Sequence, residues 1–141
     1  VPWIYNWTYS NEKTSKIINK IHNEMYNSSS SGLPGNDDLG AMGAWYVFSS
    51  IGLYPTIPGV SGFSLNLPKF NNINIYMPGG ILTIKKENED VKYIKSVDIN
   101  NQGYHSSWLF LNTIKNGGNI IFNSDVKNKW IIETNPPTYI K

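Results

Sequence analysis

The stretch SGLPGNDDLGAMGAWYVFSSIGLYP, Ser31–Pro55, decides how the rest of the chain is read. It sets two adjacent carboxylates, Asp37 and Asp38, behind a Leu-Pro-Gly-Asn turn and directly ahead of a run of small and aromatic residues. Gly52, with Pro55 shortly after, is a helix stop. The spacing therefore predicts a helix from about Leu39 to Ile51, opened by Asp37 or Asp38. Gly40 and Gly43 each weaken helix propensity by about 1 kcal/mol, which makes sense where another backbone or a ligand comes close. With Met42, Trp45, Tyr46 and Phe48 added, the helix reads as apolar nearly all round, and so as buried. A helix start presents unpaired N–H groups and a partial positive charge. That suits a plain capping aspartate, and it equally suits an ionised carboxylate ready to take a proton from water.

Upstream, Lys13–Asn27 places Ile17, Ile18, Ile21 and Met25 at helical spacing, with Asn19, Lys20, His22, Asn23 and Glu24 opposite. Thr14 or Ser15 is the expected cap, and the four serines 28–31 end the helix. Downstream of Gly62 the pattern changes to short strands. Phe63, Leu65 and Leu67 alternate, as do Ile73, Ile75 and Met77. GILTIKK from Gly80, VKYIKSVDI (91–99) and GNIIFNS (118–124) follow, separated by turns at Glu87–Asp90, Asn100–Gly103 and Asn116–Gly118. Ser107–Ile114 reads either as strand or as a short helical turn. Two helices, one almost wholly apolar, cannot cover each other. Either they pack on the sheet, or they close a larger helical body. The second is expected here, and with it the chain is a piece of a longer one.

The 141 residues are enough for one domain with its own core. All twelve basic residues are lysines, scattered, and the net charge is only +2, so no basic stripe marks a nucleic-acid partner. Cysteine is absent, which removes disulfides, thiolate metal sites and a cysteine nucleophile. No apolar run nears the roughly 20 residues of a membrane span, and the opening VPWIYNWTYS lacks the pattern of a secretory leader.

The whole of GLPGNDDLGAMGAWYVFSSIGLYPTIPG resembles the signature near the end of the catalytic region of glycoside hydrolase family 92, the calcium-dependent α-mannosidases. VPWIYNWTYSNEKTSKIINKIHNEMY is similar to the segment before it, and GFSLNLPKFNNINIYMPGGILTIKKEN with YIKSVDINNQGY to the strands after it. The resemblance implies an α+β chain: the terminal helices of an (α/α)6 barrel over residues 1–56, then an antiparallel β-sheet or sandwich over 57–141. It implies the C-terminal part of an inverting, exo-acting α-mannosidase, α-1,2-directed, located outside the cell or in its envelope, with a mannose-bearing glycan and the remainder of the barrel as partners. Inversion sets an acid and a base about 6.5–9.5 Å apart, with water between base and sugar. The family motif makes Asp38 the general base, gives Asp37 a supporting role, and puts Gly35 and Asn36 against substrate. Asn36 stands where some members carry a further aspartate. Calcium belongs to the complete enzyme, and Asn36 and Asp37 are chemically suitable oxygen donors, although no ligand set follows. The family's general acid is a glutamate ahead of Val1. Glu12, Glu24, Glu87, Glu89 and Glu133 match no such motif, so this chain alone is expected to be inactive.

Other residues have simpler readings. His22 and His105 lack partners at metal or triad spacing and are expected at the surface. Trp3–Tyr9 could stack on sugar rings or pack inside a helical body, while Trp108 and Trp130 are expected in the core. Asn6-Trp7-Thr8 and Asn27-Ser28-Ser29 are sequons of a kind that an asparagine-rich chain produces by chance. Two rival readings are a carbohydrate-binding or structural β-sandwich module with a helical extension, and an oligomerisation domain paired through Met42–Phe48.

Overall fold

The computed structural model describes residues 2–87, 93–126 and 130–138. A 3-10 helix, Pro2–Thr8, leads into α1 (Asn11–Glu24), a long loop and α2 (Ala41–Ile51). Among the described residues eight strands follow: β1 (Leu53–Tyr54), β2 (Gly62–Leu65), β3 (Asn72–Met77), β4 (Gly80–Glu87), β5 (Tyr93–Ile99), β6 (Gln102–Tyr104), β7 (Trp108–Phe110) and, after the four-residue α3 (Leu111–Ile114), β8 (Gly118–Asp125). They form a three-stranded sheet in the order β1-β2-β7 and a five-stranded sheet in the order β3-β4-β8-β5-β6. One core joins them: Leu53, Leu65 and Leu109 from the first sheet meet Leu82, Ile84, Val97, Ile120 and Phe122 from the second. Alternate residues of each sheet face this shared interior, as a sandwich requires.

Strand alternation reads through cleanly. Ile73, Ile75 and Met77 pack towards the core while Asn72, Asn74 and Tyr76 face out. The Asn100–Asn101 turn takes left-handed φ at both residues, 50° and 65°, which matches the twist of the β5–β6 hairpin it closes. One pairing differs from the antiparallel expectation. β8 runs parallel to β4 and antiparallel to β5, so the larger sheet is mixed. The ambiguous Ser107–Ile114 segment divides into β7 and α3, with Trp108 1% and Trp130 5% exposed. The start of the predicted 91–99 strand and most of the Glu87–Asp90 turn lie outside the described residues.

The helices depart further. α1 turns Asn11, Thr14, Ser15, Ile18 and His22 inward, a stripe at helical spacing that carries more polar than apolar groups, while Met25 is exposed. Thr14 and Ser15 are not caps. Ser10 stands at the N-cap, but its Oγ donates back to Thr8 O rather than capping the helix, Thr14 Oγ1 donates to Pro2 O and to Asn6 Oδ1, and Ser15 Oγ accepts from Leu67 N. α2 is not buried all round. Among the described residues its outer side, Ala44, Val47 and Phe48, faces solvent, and only Ser49 and Ser50 are fully covered. It begins at Ala41 rather than Leu39, because residues 38 to 40 adopt left-handed backbone. It ends where expected. Gly52, at φ 92°, returns its N–H to Phe48 O and Ser49 O, and a Cβ there would lie 2.8 Å from Asn66 O.

Amides and hydroxyls join the helices to the sandwich. Asn66, fully buried, accepts from Trp3 Nε1 (3.1 Å) and donates to Ser49 O (2.8 Å) and Leu67 O (3.0 Å). Asn6, also fully buried, donates to Leu65 O at 3.0 Å, and its own carbonyl accepts from Ser107 Oγ. Polar groups this deep persist only when satisfied, so each bond also fixes where the 3-10 helix, α1 and α2 sit on β2.

Candidate active site

The loop before α2 is fixed from both ends. Near its start, Asn27 N donates to Gly32 O and Gly32 N to Ser29 O. A side chain at Gly32 would meet Asn27 O at 1.9 Å, so only glycine closes this turn. At its end, Asp37 Oδ1 accepts from Met42 N and Gly43 N, both at 3.0 Å, and Asp37 O accepts from Ala41 N at 2.8 Å. Gly40 occupies the N-cap position, and Asp37, three residues before it, supplies the carboxylate that caps the first turn. That carboxylate answers two otherwise unpaired N–H groups and the positive end of the helix dipole.

Asp38 is placed differently. It has φ 45°, Leu39 61° and Gly40 86°, three left-handed residues in succession. Such backbone is uncommon for non-glycine residues and a genuine outlier for a bulky one. Asp38 is exposed, and its carboxylate takes no hydrogen bond or ion pair from the described residues. The two neighbours therefore divide the work: one carboxylate is committed to the backbone, and the other is open. Gly35 and Asn36 are also exposed on this loop. A Cβ at Gly35 would lie 3.3 Å from Met42 Cε, which keeps that approach tight.

An aromatic cluster backs the loop. Tyr26 OH donates to Met42 O at 3.2 Å, and its ring stacks on Trp45 at 5.7 Å and 6°. Burial, then the Asp37 carboxylate and then Tyr54, push the Tyr26 phenol above its usual range. Trp3 is 2% exposed, stacks on Tyr54 at 4.0 Å and meets Trp45 edge-on. It is a packing residue. Trp7 lies at the edge of a hollow of about 790 Å³ shared with Trp3, Trp45 and Tyr54. His22 corrects the surface expectation. It is 4% exposed, and its Nε2 lies 2.7 Å from Ser49 Oγ. Burial, with Lys69 nearby, lowers its pKa from 6.5 to about 4, so it is neutral at neutral pH. His105 is exposed, as expected. The first sequon is closed to modification, since the Asn6 amide is buried and bonded, whereas Asn27 is exposed.

Sequence reasoning missed Tyr26, His22 and Asn66. His22 lies in the last turn of α1 and Tyr26 two residues past its end, so no helical spacing links them in advance. Asn66 is the single amide inside the apolar run Phe63–Leu67, a position where a polar side chain calls for a buried partner.

As for calcium, no group of three or more His, Cys, Asp or Glu converges among the described residues. Asn36, Asp37 and Asp38 supply consecutive oxygen donors, but they fall short of the six to eight oxygens calcium takes. This chain's residues do not make up a calcium site by themselves, and no step below passes through one.

A catalytic-domain profile, described as the glycosyl hydrolase family 92 catalytic domain, matches residues 1–125. The chain belongs to that family. It is 35% identical over 101 residues to an uncharacterized secreted glycosidase of Arthroderma benhamiae, covering 67% of this chain and 13% of the fungal protein. A family GH92 alpha-mannosidase of Bacteroides thetaiotaomicron superposes with a TM-score of 0.90 at 28% identity, over 98% of this chain and 20% of that one. A family GH92 inverting mannosidase of the same bacterium gives 0.83 at 28% identity, over 92% and 18%. The chain thus spans a fifth or less of the length of these relatives. No helix among the described residues is long and apolar enough to cross a membrane.

Proposed function

We propose that this chain is the base-bearing part of an inverting, exo-acting α-mannosidase that releases terminal mannose, α-1,2-linked, from glycans. The observation that carries the reading is the division between the two aspartates: Asp37 is held by Met42 N and Gly43 N, and Asp38 is left open beside it. In this reading Asp38 accepts a proton from water as the oxygen attacks the anomeric carbon. The glycosidic C–O bond breaks on the opposite face, where an acid from outside the chain protonates the leaving oxygen. Asp37 positions Asp38 through the backbone, and Gly35 and Asn36 line the approach to the sugar. Calcium would belong to the complete enzyme, where it would supply Lewis-acid polarisation of sugar hydroxyls. Mannosidases among the structural relatives support the substrate class, and a relative named as secreted supports a location outside the cell or in its envelope.

The test is Asp38→Asn in the complete catalytic domain. Loss of general-base catalysis typically lowers kcat by about 10²–10⁴-fold, with KM for an α-1,2-mannobioside little changed. Turnover at the normal rate would overturn the assignment. A second reading, carbohydrate binding without catalysis, is favoured by the hollow beside Trp7, Trp45 and Tyr54, and it expects this chain to bind sugar without calcium and independently of Asp38.

A further inference from the structure

The turn that carries Asp38 is closed at both ends and unsupported between them. Asp37 O accepts from Ala41 N at 2.8 Å across residues 38–40, and Asp37 Oδ1 reaches past the same three residues to Met42 N and Gly43 N. On the helix side Gly40 O accepts from Ala44 N, also at 2.8 Å. Inside this bracket the side chains give the backbone no hold. Leu39 is fully exposed, and the Asp38 carboxylate has no partner among the described residues. A Cβ built on Gly40 would meet nothing within 4 Å.

The backbone inside the bracket is nevertheless a costly one. Asp38 (φ 45°), Leu39 (φ 61°) and Gly40 (φ 86°) are all left-handed. Glycine enters that region freely, and Asn and Asp do so more often than most residues, but a large aliphatic side chain rarely does. Leu39 is therefore the strained member of the three. Strain of this kind gathers where a loop must hold one functional geometry. Since the Leu39 side chain reaches nothing, residue 39 acts on its neighbour through its own φ and ψ. A return of residue 39 to extended or right-handed backbone would rotate the peptide that follows Asp38 and re-aim its carboxylate, with the bracket still closed.

We infer that Leu39 is a positioning residue: its left-handed backbone, rather than its side chain, aims the open carboxylate of Asp38. The inference rests on the reading of Asp38 as the base. Its test uses the complete catalytic domain and an α-1,2-mannobioside. Leu39→Ile keeps the same side-chain atoms but branches them at Cβ, where left-handed φ is least tolerated. It should lower kcat by about 10²-fold, the cost of a small misplacement of a reacting group, with KM little changed. Gly40→Ala puts a methyl group into open space, so it acts through φ alone and should do the same. Leu39→Asn and Leu39→Gly discard the side chain, tolerate the turn and should retain most of kcat. Asp38→Asn combined with Leu39→Ile should be no slower than Asp38→Asn alone, because a residue that works through Asp38 then has nothing to aim. Normal kcat in Leu39→Ile at a lowered melting temperature would overturn the inference. So would losses in Leu39→Asn and Leu39→Gly as deep as in Leu39→Ile, which would assign the role to the side chain, or losses that multiply in the double variant. Full turnover in Asp38→Asn removes the base assignment and this inference with it. An inactive Asp38→Asn beside an unaffected Leu39→Ile leaves the proposed function standing and removes only this one.

Discussion

Asp37 commits one oxygen to two backbone N–H groups, and that contact decides how substitutions in the loop should behave. Asp37→Ala removes a helix cap and should cost about 1–2 kcal/mol in chemical denaturation. Asp37→Asn keeps an oxygen that can accept both bonds and should recover most of that loss. If Asp37 acts by positioning Asp38, Asp37→Asn should also keep most of kcat in the complete enzyme, whereas Asp38→Asn should not. His22 makes a pH prediction. Its unfolded pKa is 6.5 and its folded pKa about 4. Between these values the unfolded chain holds more protons, so stability falls as pH drops from 6.5 towards 4, by at most about 1.4 kcal/mol per unit. Denaturation midpoints across that window should show the slope in the wild type, and a weaker one in His22→Gln.

At the scale of elements, α2 and its junction with β2 carry the testable energetics. Gly52→Ala combines a strained φ with a Cβ 2.8 Å from Asn66 O, so it should be clearly destabilising, by more than the roughly 1 kcal/mol that Ala ordinarily gains over Gly in a helix. Asn66→Ala leaves Trp3 Nε1 and Leu67 O without their partner and takes one of two donors from Ser49 O. It should cost about 3 kcal/mol or more in urea denaturation. These elements also show what could be read from the chain in advance. The strands were legible because period-two alternation bounded by Gly, Asn and Pro has few other solutions. α2's end was legible from Gly52. Its start was not, because left-handed backbone at Asp38 and Leu39 has no compositional mark in non-glycine residues. Nor was the face of α1 legible. Pattern reading sends isoleucine inward, but here Thr14, Ser15 and His22 meet the polar groups of Asn6, Leu67 and Ser49, and their satisfied bonds override hydrophobicity. Of the site, the aspartate pair stood out in the sequence, but which of the two caps the helix depended on a two-bond contact that only the fold reveals.

For the whole molecule, the unbalanced feature is the helical side. Ile4 is 54% and Phe48 37% exposed, beside the hollow that Trp3, Trp45 and Tyr54 share. Apolar surface of this kind marks a contact area, and it agrees with a chain that spans a fifth or less of its relatives. The chain alone, given calcium and an α-1,2-mannobioside, should release no mannose above background. Appreciable turnover would mean that a full acid–base pair lies within these residues.

The place of β8 has a consequence for how the protein comes into being. The last strand among the described residues, β8, is the central strand of the five-stranded sheet, wedged between β4 and β5. Neither neighbour can be joined to the other until residues 118–125 have left the ribosome, so the nascent polypeptide must wait, its hairpins loose, for that strand. A premature stop ahead of Gly118 would therefore yield two unjoined ribbons with bare edges, material for quality-control proteases rather than a shortened but usable protein.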